Sequence, residues 1–142
     1  VAVSQLYSVL HRLVDQGWAD VKIELQEGRP PRHTYSVTAK GRRAFWRWAC
    51  MPVAHPRDLR VVFLAKVYFL RKLRPAAVGK LVDAQEAELG KALAALEERA
   101  TIASDDVAVA TAARAFRATH VKSALRWLNA NRTLLESVRE DA

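Results

Sequence analysis

A chain of 142 residues, 51% hydrophobic and 27% charged, has room for one compact domain or a small domain with a helical arm, and its composition is that of an ordinary globular protein. Its formal net charge of +8 favours a polyanionic partner without identifying one. One cysteine excludes an internal disulfide framework and fits a reducing, cytoplasmic setting, while no apolar run of roughly eighteen residues and no signal-peptide pattern points to a membrane.

Residues 4–16 read as a helix. Leu6, Val9, Leu10 and Leu13 recur at the spacing of one buried face, Ser4 supplies an N-cap, and Gly17 supplies the C-terminal stop. Gln5, Ser8, His11, Arg12 and Asp15 share the opposite face, with Tyr7 at its edge. Val21, Ile23 and Leu25 then alternate as in a short strand with its apolar side chains on one side. Glu27 to Arg32 is a loop by composition, and Tyr35 and Val37 alternate again. The two strands are therefore predicted to form a hairpin with a long, basic, proline-stiffened tip at 27–32. Thr38 caps a second helix, from Ala39 to about Cys50, whose bulk comes from Phe45, Trp46 and Trp48.

Pro52 and Pro56 bracket a linker, so the chain is expected to divide into residues 1–52 and 53–142. Three helices are predicted beyond it. The first, roughly 57–73, carries Leu59, Val62, Phe63, Lys66, Val67 and Leu70 in helical period. Pro75 opens the second, which runs to about Arg99 with Leu81, Leu89, Leu93 and Leu96 on one stripe. Ser104 or Asp105 caps the last, to about Arg139. Its seam runs from Val109 through Ala113, Phe116, His120, Ala124, Trp127, Asn131 and Leu135 to Val138. So long a seam predicts helix-on-helix association, with His120 and Asn131 as candidate register-setting polar positions.

Helix, strand, basic tip, strand, helix is the order of the second half of a winged helix-turn-helix. The predicted fold is mainly α with a small β-hairpin wing, followed by a C-terminal helical dimerisation region. In this reading the first helix is the recognition helix. Ser4, Gln5, Ser8 and His11 offer short hydrogen-bonding groups to base edges or phosphates in the major groove of double-stranded DNA. Tyr7 has a hydroxyl with the reach of a phosphate, or packs on the wing. Arg29 and Arg32 flank Pro30 and Pro31, which hold the tip extended and suit it to the minor groove or its phosphates. From Gly28 to Arg57 there is no carboxylate, while Arg29, Arg32, Lys40, Arg42, Arg43, Arg47 and Arg57 fall inside. A one-sign segment of that kind suits a surface that meets phosphates.

These residues resemble the PadR family of transcriptional regulators. Ser4-Gln5-Leu6-Tyr7, Leu10, Leu13 and Gly17-Trp18 are similar to its recognition helix and exit. The run from Glu27 to Arg32, Tyr35-Ser36-Val37-Thr38 and Gly41-Arg42 resemble its wing and the helix after it. Pro56-Arg57-Asp58-Leu59-Arg60, then Phe63-Leu64 and Lys66, resemble the entry to the longer, virulence-activator-like C-terminal region of one subfamily. The resemblance implies a homodimer built on the C-terminal helices that binds a two-fold operator, usually as a repressor, and in some members responds to phenolic acids or other aromatic compounds. Two helices that precede the recognition helix in that family are absent, and the chain opens on Val1, which implies N-terminal truncation or an alternative start codon. Leu6, Leu10 and Leu13 would then lack packing partners, at about 1.5–3 kcal/mol each, and weak folding of the N-terminal half and weak DNA binding are expected. The codons upstream of Val1 test this expectation; an in-frame stop immediately before Val1 contradicts it.

No catalytic constellation assembles. His11, His33, His55 and His120 are scattered, Cys50 has no partner at a metal-ligand spacing, and no glycine-rich phosphate loop occurs. The reading is therefore of a non-enzyme without cofactor or metal. Trp46, Trp48, Phe63 and Trp127 are candidates to line a pocket for a small aromatic effector, although an ordinary core and dimer seam would use the same residues. The alternative function is a helical protein-interaction module with a basic face and no DNA binding. Salt-dependent affinity for DNA separates the two.

Overall fold

In the computed structural model, which describes residues 3–98 and 106–137, the chain opens on helix α1 (Val3–Asp15). Ser4, expected as a cap, lies inside the first turn instead. The far end closes as expected on Gly17, at φ +67°. Gly17 N–H donates to the Val14 carbonyl and Trp18 N–H to the Leu13 carbonyl, both at 2.8 Å. These two bonds are the pair of a Schellman motif, and they satisfy carbonyls that the helix end would otherwise orphan.

Strands β1 (Ala19–Gln26) and β2 (Arg29–Val37) form an antiparallel hairpin. Ala19 pairs with Val37, Val21 with Tyr35 and Ile23 with His33, so the apolar side chains do share one face. That face is covered only at the base. Ala19 is buried and Tyr35 half-buried, whereas Ile23 is 57% and Leu25 88% exposed. The tip is shorter than its composition suggested. Only Glu27 and Gly28 (φ +67°) form the turn, and Arg29 to Arg32 belong to β2. Pro30 and Pro31 sit where the register shifts, between the Glu24–Arg32 and Gln26–Arg29 pairs. A bulge on a two-stranded ribbon tolerates the missing ladder N–H groups, which is why the prolines do not end the strand.

Thr38 starts helix α2 (Ala39–Cys50) as the sequence predicts, its hydroxyl oxygen accepting from Gly41 N–H at 2.9 Å. By internal contacts the chain then divides into Val1–Trp48 and Ala49–Ala142. The segment bracketed by Pro52 and Pro56 is held within the second unit. The Gln85 side chain, fully buried, accepts from Val53 N–H at 2.7 Å and donates to the Val53 carbonyl at 2.9 Å. Lys66 Nζ donates to the Met51 carbonyl at 2.7 Å.

The single helix expected over 57–73 is broken. A 3-10 helix (Pro56–Arg60) precedes α3 (Val62–Leu73), and Val61 separates them. A second 3-10 turn (Pro75–Ala77) leads into α4 (Val78–Glu98). Helix α5 (Val107–Glu136) is capped by Asp106, whose carboxylate accepts from Val109 N–H at 3.0 Å. Ser104 and Asp105, the expected caps, lie outside the described residues, as does Val138.

The core of the second unit joins Leu59, Phe63, Val67 and Leu70 to Val78, Leu81, Val82 and Leu89 of α4. Val121, Leu128 and Leu135 close it from α5, which packs on α4. The stripe predicted for α4 is shifted toward its N-terminal half, since Leu93 and Leu96 are only half-buried. The seam predicted for α5 is mostly not the buried one. Of its described members only Leu135 is buried, Ala113, Ala124 and Asn131 are half-buried, and Val109, Phe116, His120 and Trp127 are exposed. The helix is apolar on two faces, and period alone does not say which of them meets α4.

Candidate nucleic-acid interface

The first unit is organised around the junction of α1 and α2. Thr38 N–H donates to the Trp18 carbonyl at 3.0 Å, and the Thr38 hydroxyl donates to the Gly17 carbonyl at 2.8 Å. Lys40 Nζ reaches the Gln16 carbonyl at 2.7 Å. A cation on the last carbonyls of α1 complements the negative end of its dipole as well as filling an orphan acceptor. Gly41 lies so close to the Trp18 carbonyl that a Cβ would collide with that backbone group. Arg42 then donates to the Val37 carbonyl at 3.0 Å, closing the base of the hairpin onto α2. Three side chains and one glycine therefore fix the direction in which α1 and the hairpin leave α2.

On α1 the structure leaves Ser4, Gln5, Tyr7, Ser8 and His11 exposed. Ser8 donates to the Ser4 carbonyl at 3.0 Å, one turn back, which orients its oxygen without removing its capacity to accept. Leu10, Leu13 and Val14 are half-buried, while Leu6 and Val9, expected on the buried face, are about half exposed. The apolar face is covered at its C-terminal end, where the Schellman turn and α2 lie.

Arg29 and Arg32 are both exposed on the hairpin, and neither forms an ion pair with a described carboxylate, although Arg32 stands opposite Glu24 in register. Glu24 is paired instead with Lys22, at 2.9 Å. On α2, Arg43 and Arg47 are exposed one turn apart. Sequence reading counted these two only as part of a one-sign segment. It did not find Lys40 and Arg42 as structural clips, because a basic residue bonded to a backbone carbonyl looks the same in sequence as a solvated one.

The four aromatic residues named for an effector pocket fall as follows. Trp48 lines a cavity of about 430 Å³ within the first unit, together with Leu13, Trp18, Tyr35 and Phe45. The Tyr35 hydroxyl is buried and has no hydrogen-bond partner among the described residues. Trp46 is half-buried, edge-on to Phe45 at 5.1 Å. In the second unit Phe63 is fully buried in the core, and Trp127 lines a cavity of about 510 Å³ beside Pro56, Leu59, Leu64 and His120. Among the described residues no group of three His, Cys, Asp or Glu side chains could hold a metal ion, and no helix is long and apolar enough to cross a membrane.

Residues 1–47 match the family model described as the Transcriptional regulator PadR-like family. The match covers the first third of the chain, from α1 through most of α2. No curated protein matches. Among solved structures, the chain is similar to the crystal structure of Bacillus subtilis PadR in complex with operator DNA. The identity is 20% and the TM-score 0.42, with 93% of this chain and 78% of that chain covered.

Proposed function

We propose that the chain is a sequence-specific, DNA-binding regulator of transcription, acting as a homodimeric repressor of the PadR kind. The observation that carries the reading is the first unit itself. A short helix presents Ser4, Gln5, Ser8 and His11 to solvent on a frame clipped at Gly17, Thr38 and Gly41, and a hairpin beside it in sequence carries two exposed arginines without an ion pair among the described residues. That unit is also the part that matches a family of regulators. In this reading α1 enters the major groove, Arg29 and Arg32 meet the minor groove or its phosphates, and Tyr7 contacts the backbone. Residues 1–52 form the DNA-binding part and residues 53–142 the dimerisation region of the longer, virulence-activator-like subfamily. An aromatic effector, bound near Trp48 or Trp127, modulates binding. Phe63 takes no direct part, because it is sealed in the core.

The test is the salt dependence of binding to duplex DNA. Log affinity falls with log salt at a slope of about −0.9 per phosphate neutralised. Replacing Arg29 and Arg32 with Ala is expected to weaken binding to all sequences and flatten that slope by one to two phosphates' worth. An unchanged slope means the hairpin does not touch DNA. Gln5→Ala is expected to act differently, reducing the preference for operator over scrambled DNA while leaving the slope alone.

A further inference from the structure

The exposure of the hairpin's apolar face rises from base to tip, with Val21 at 37%, Ile23 at 57% and Leu25 at 88%. Leu25 is the most exposed large apolar side chain among the described residues, and it stands where the ladder is irregular. Between the Glu24–Arg32 and Gln26–Arg29 pairs, β1 contributes Leu25 alone and β2 contributes Pro30 and Pro31. One level of the ribbon is therefore wholly apolar, and the levels on either side of it each carry an exposed arginine. The prolines hold that level stiff, since their rings fix φ and remove two N–H groups. A single leucine on a protein surface needs no partner. One set on a stiffened bulge between two arginines is built as a wedge for a groove with charged walls.

We propose that Leu25 enters the minor groove and presses against a base step of the bound duplex, so that the hairpin reads how easily the DNA opens there. The proposal rests on the DNA-binding reading above and adds to it a residue that carries sequence preference without a hydrogen bond. The dimensions lead to it. Adjacent strands lie about 4.8 Å apart before side chains are counted, while the minor groove of B-form DNA is about 6 Å wide. A two-stranded ribbon therefore enters only by widening the groove. Arg29 and Arg32 are two levels apart, about 7 Å along the ribbon, so each can reach a flanking phosphate while the level between them meets the groove floor. Pro30 and Pro31 are short closed rings, which leaves Leu25 as the side chain with the reach of a base edge. Apolar side chains in that position part-unstack a step and bend the duplex by about 20–90° toward the major groove. The cost is least at pyrimidine–purine steps, and there the preference arises.

Two carboxylates lie near the wedge. Glu24 is paired with Lys22 at 2.9 Å, and Glu27 is exposed in the turn beyond the apolar level. Glu27 has the wrong sign for a phosphate wall, so the ribbon lies with its apolar face on the groove rather than entering turn first.

The experiment uses the full chain, at saturating concentration and low salt, on a duplex from its own promoter. Each adenine of a pyrimidine–purine step is replaced in turn by 2-aminopurine, whose fluorescence rises when it unstacks. The native chain is expected to brighten the probe at a defined step. Leu25→Ser is expected to abolish that rise and weaken binding about tenfold, with an unchanged salt slope and unchanged far-ultraviolet circular dichroism. Leu25→Met keeps a long apolar side chain and is expected to retain the rise. Exchanging the brightened step for a stiff A-tract is expected to weaken the native chain and leave Leu25→Ser indifferent. Saturated binding that brightens no adenine, or brightening that survives in Leu25→Ser, overturns the wedge and leaves the regulator standing. A flatter salt slope in Leu25→Ser also overturns it, because the arginines would then account for the loss. A native chain that binds no duplex overturns this proposal and the DNA-binding reading together.

Discussion

At Gly41 there is no space for a methyl group. The collision would be with the Trp18 carbonyl, a backbone group already accepting from Thr38 N–H, so no side chain can swing away to relieve it. Gly41→Ala is expected to destabilise the first unit by about 3 kcal/mol, the upper end of overpacking, in urea unfolding followed by tryptophan fluorescence. A loss under about 0.5 kcal/mol would mean that α1 and α2 are not held this closely. Lys66 is a different kind of constraint. Burial lowers its pKa below the usual 10.5, so the unfolded chain binds its proton more tightly than the folded one. Stability is then least below the folded pKa and rises as pH climbs from that value toward 10.5. The native chain is expected to gain stability relative to Lys66→Met as pH rises toward 10.5, and parallel profiles would contradict this. Neither constraint was visible in sequence. In sequence Gly41 is the neighbour of Arg42 with nothing to mark its fit, and Lys66 is one more helical position in an apolar period.

The elements themselves were largely legible, because their signals are local. Gly17 stopping α1, Thr38 capping α2 and the alternation of Val21, Ile23 and Leu25 each depend on neighbours within a few residues. What escaped depended on distant partners. The bulge that absorbs Pro30 and Pro31 into β2 exists only because β1 lies alongside. The Val61 break before α3 and the choice of buried face on α5 follow from packing. The segment after α2 looked like a linker because prolines bracket it, yet the Gln85 amide mimics a strand partner for Val53 from thirty-two residues away. Gln85→Leu keeps the volume and removes both bonds. It is expected to cost about 1–3 kcal/mol for each of the two orphaned backbone groups, and to increase hydrogen exchange at Val53 N–H. Retained protection of that amide would show that another group holds the segment.

At the scale of the molecule, charge and chemistry are divided between the two units. Six of the seven cations in the run without a carboxylate lie in the hairpin and along α2, the seventh, Arg57, lying in the second unit, whereas the carboxylates of α4 are spent partly on Arg132 and Lys122. The hairpin holds its arginines away from the covered base of the sheet, with apolar side chains increasingly exposed toward the tip. Such a projection is expensive to leave in water without a partner. The candidate DNA-facing residues were legible because they are the polar face of an amphipathic helix and the charged end of a hairpin. An effector site was not legible, since aromatic residues in helical period serve a core such as that around Phe63 as readily as a ligand.

Fluorescence anisotropy of the full chain on duplex DNA from its own promoter, against a scrambled duplex and across a salt series, tests the central claim most directly. The account predicts promoter-selective binding whose log affinity falls linearly with log salt, with a shallower slope once Arg29 and Arg32 are Ala. No binding to either duplex at low salt would contradict it, and would assign the basic face of the first unit to a protein partner.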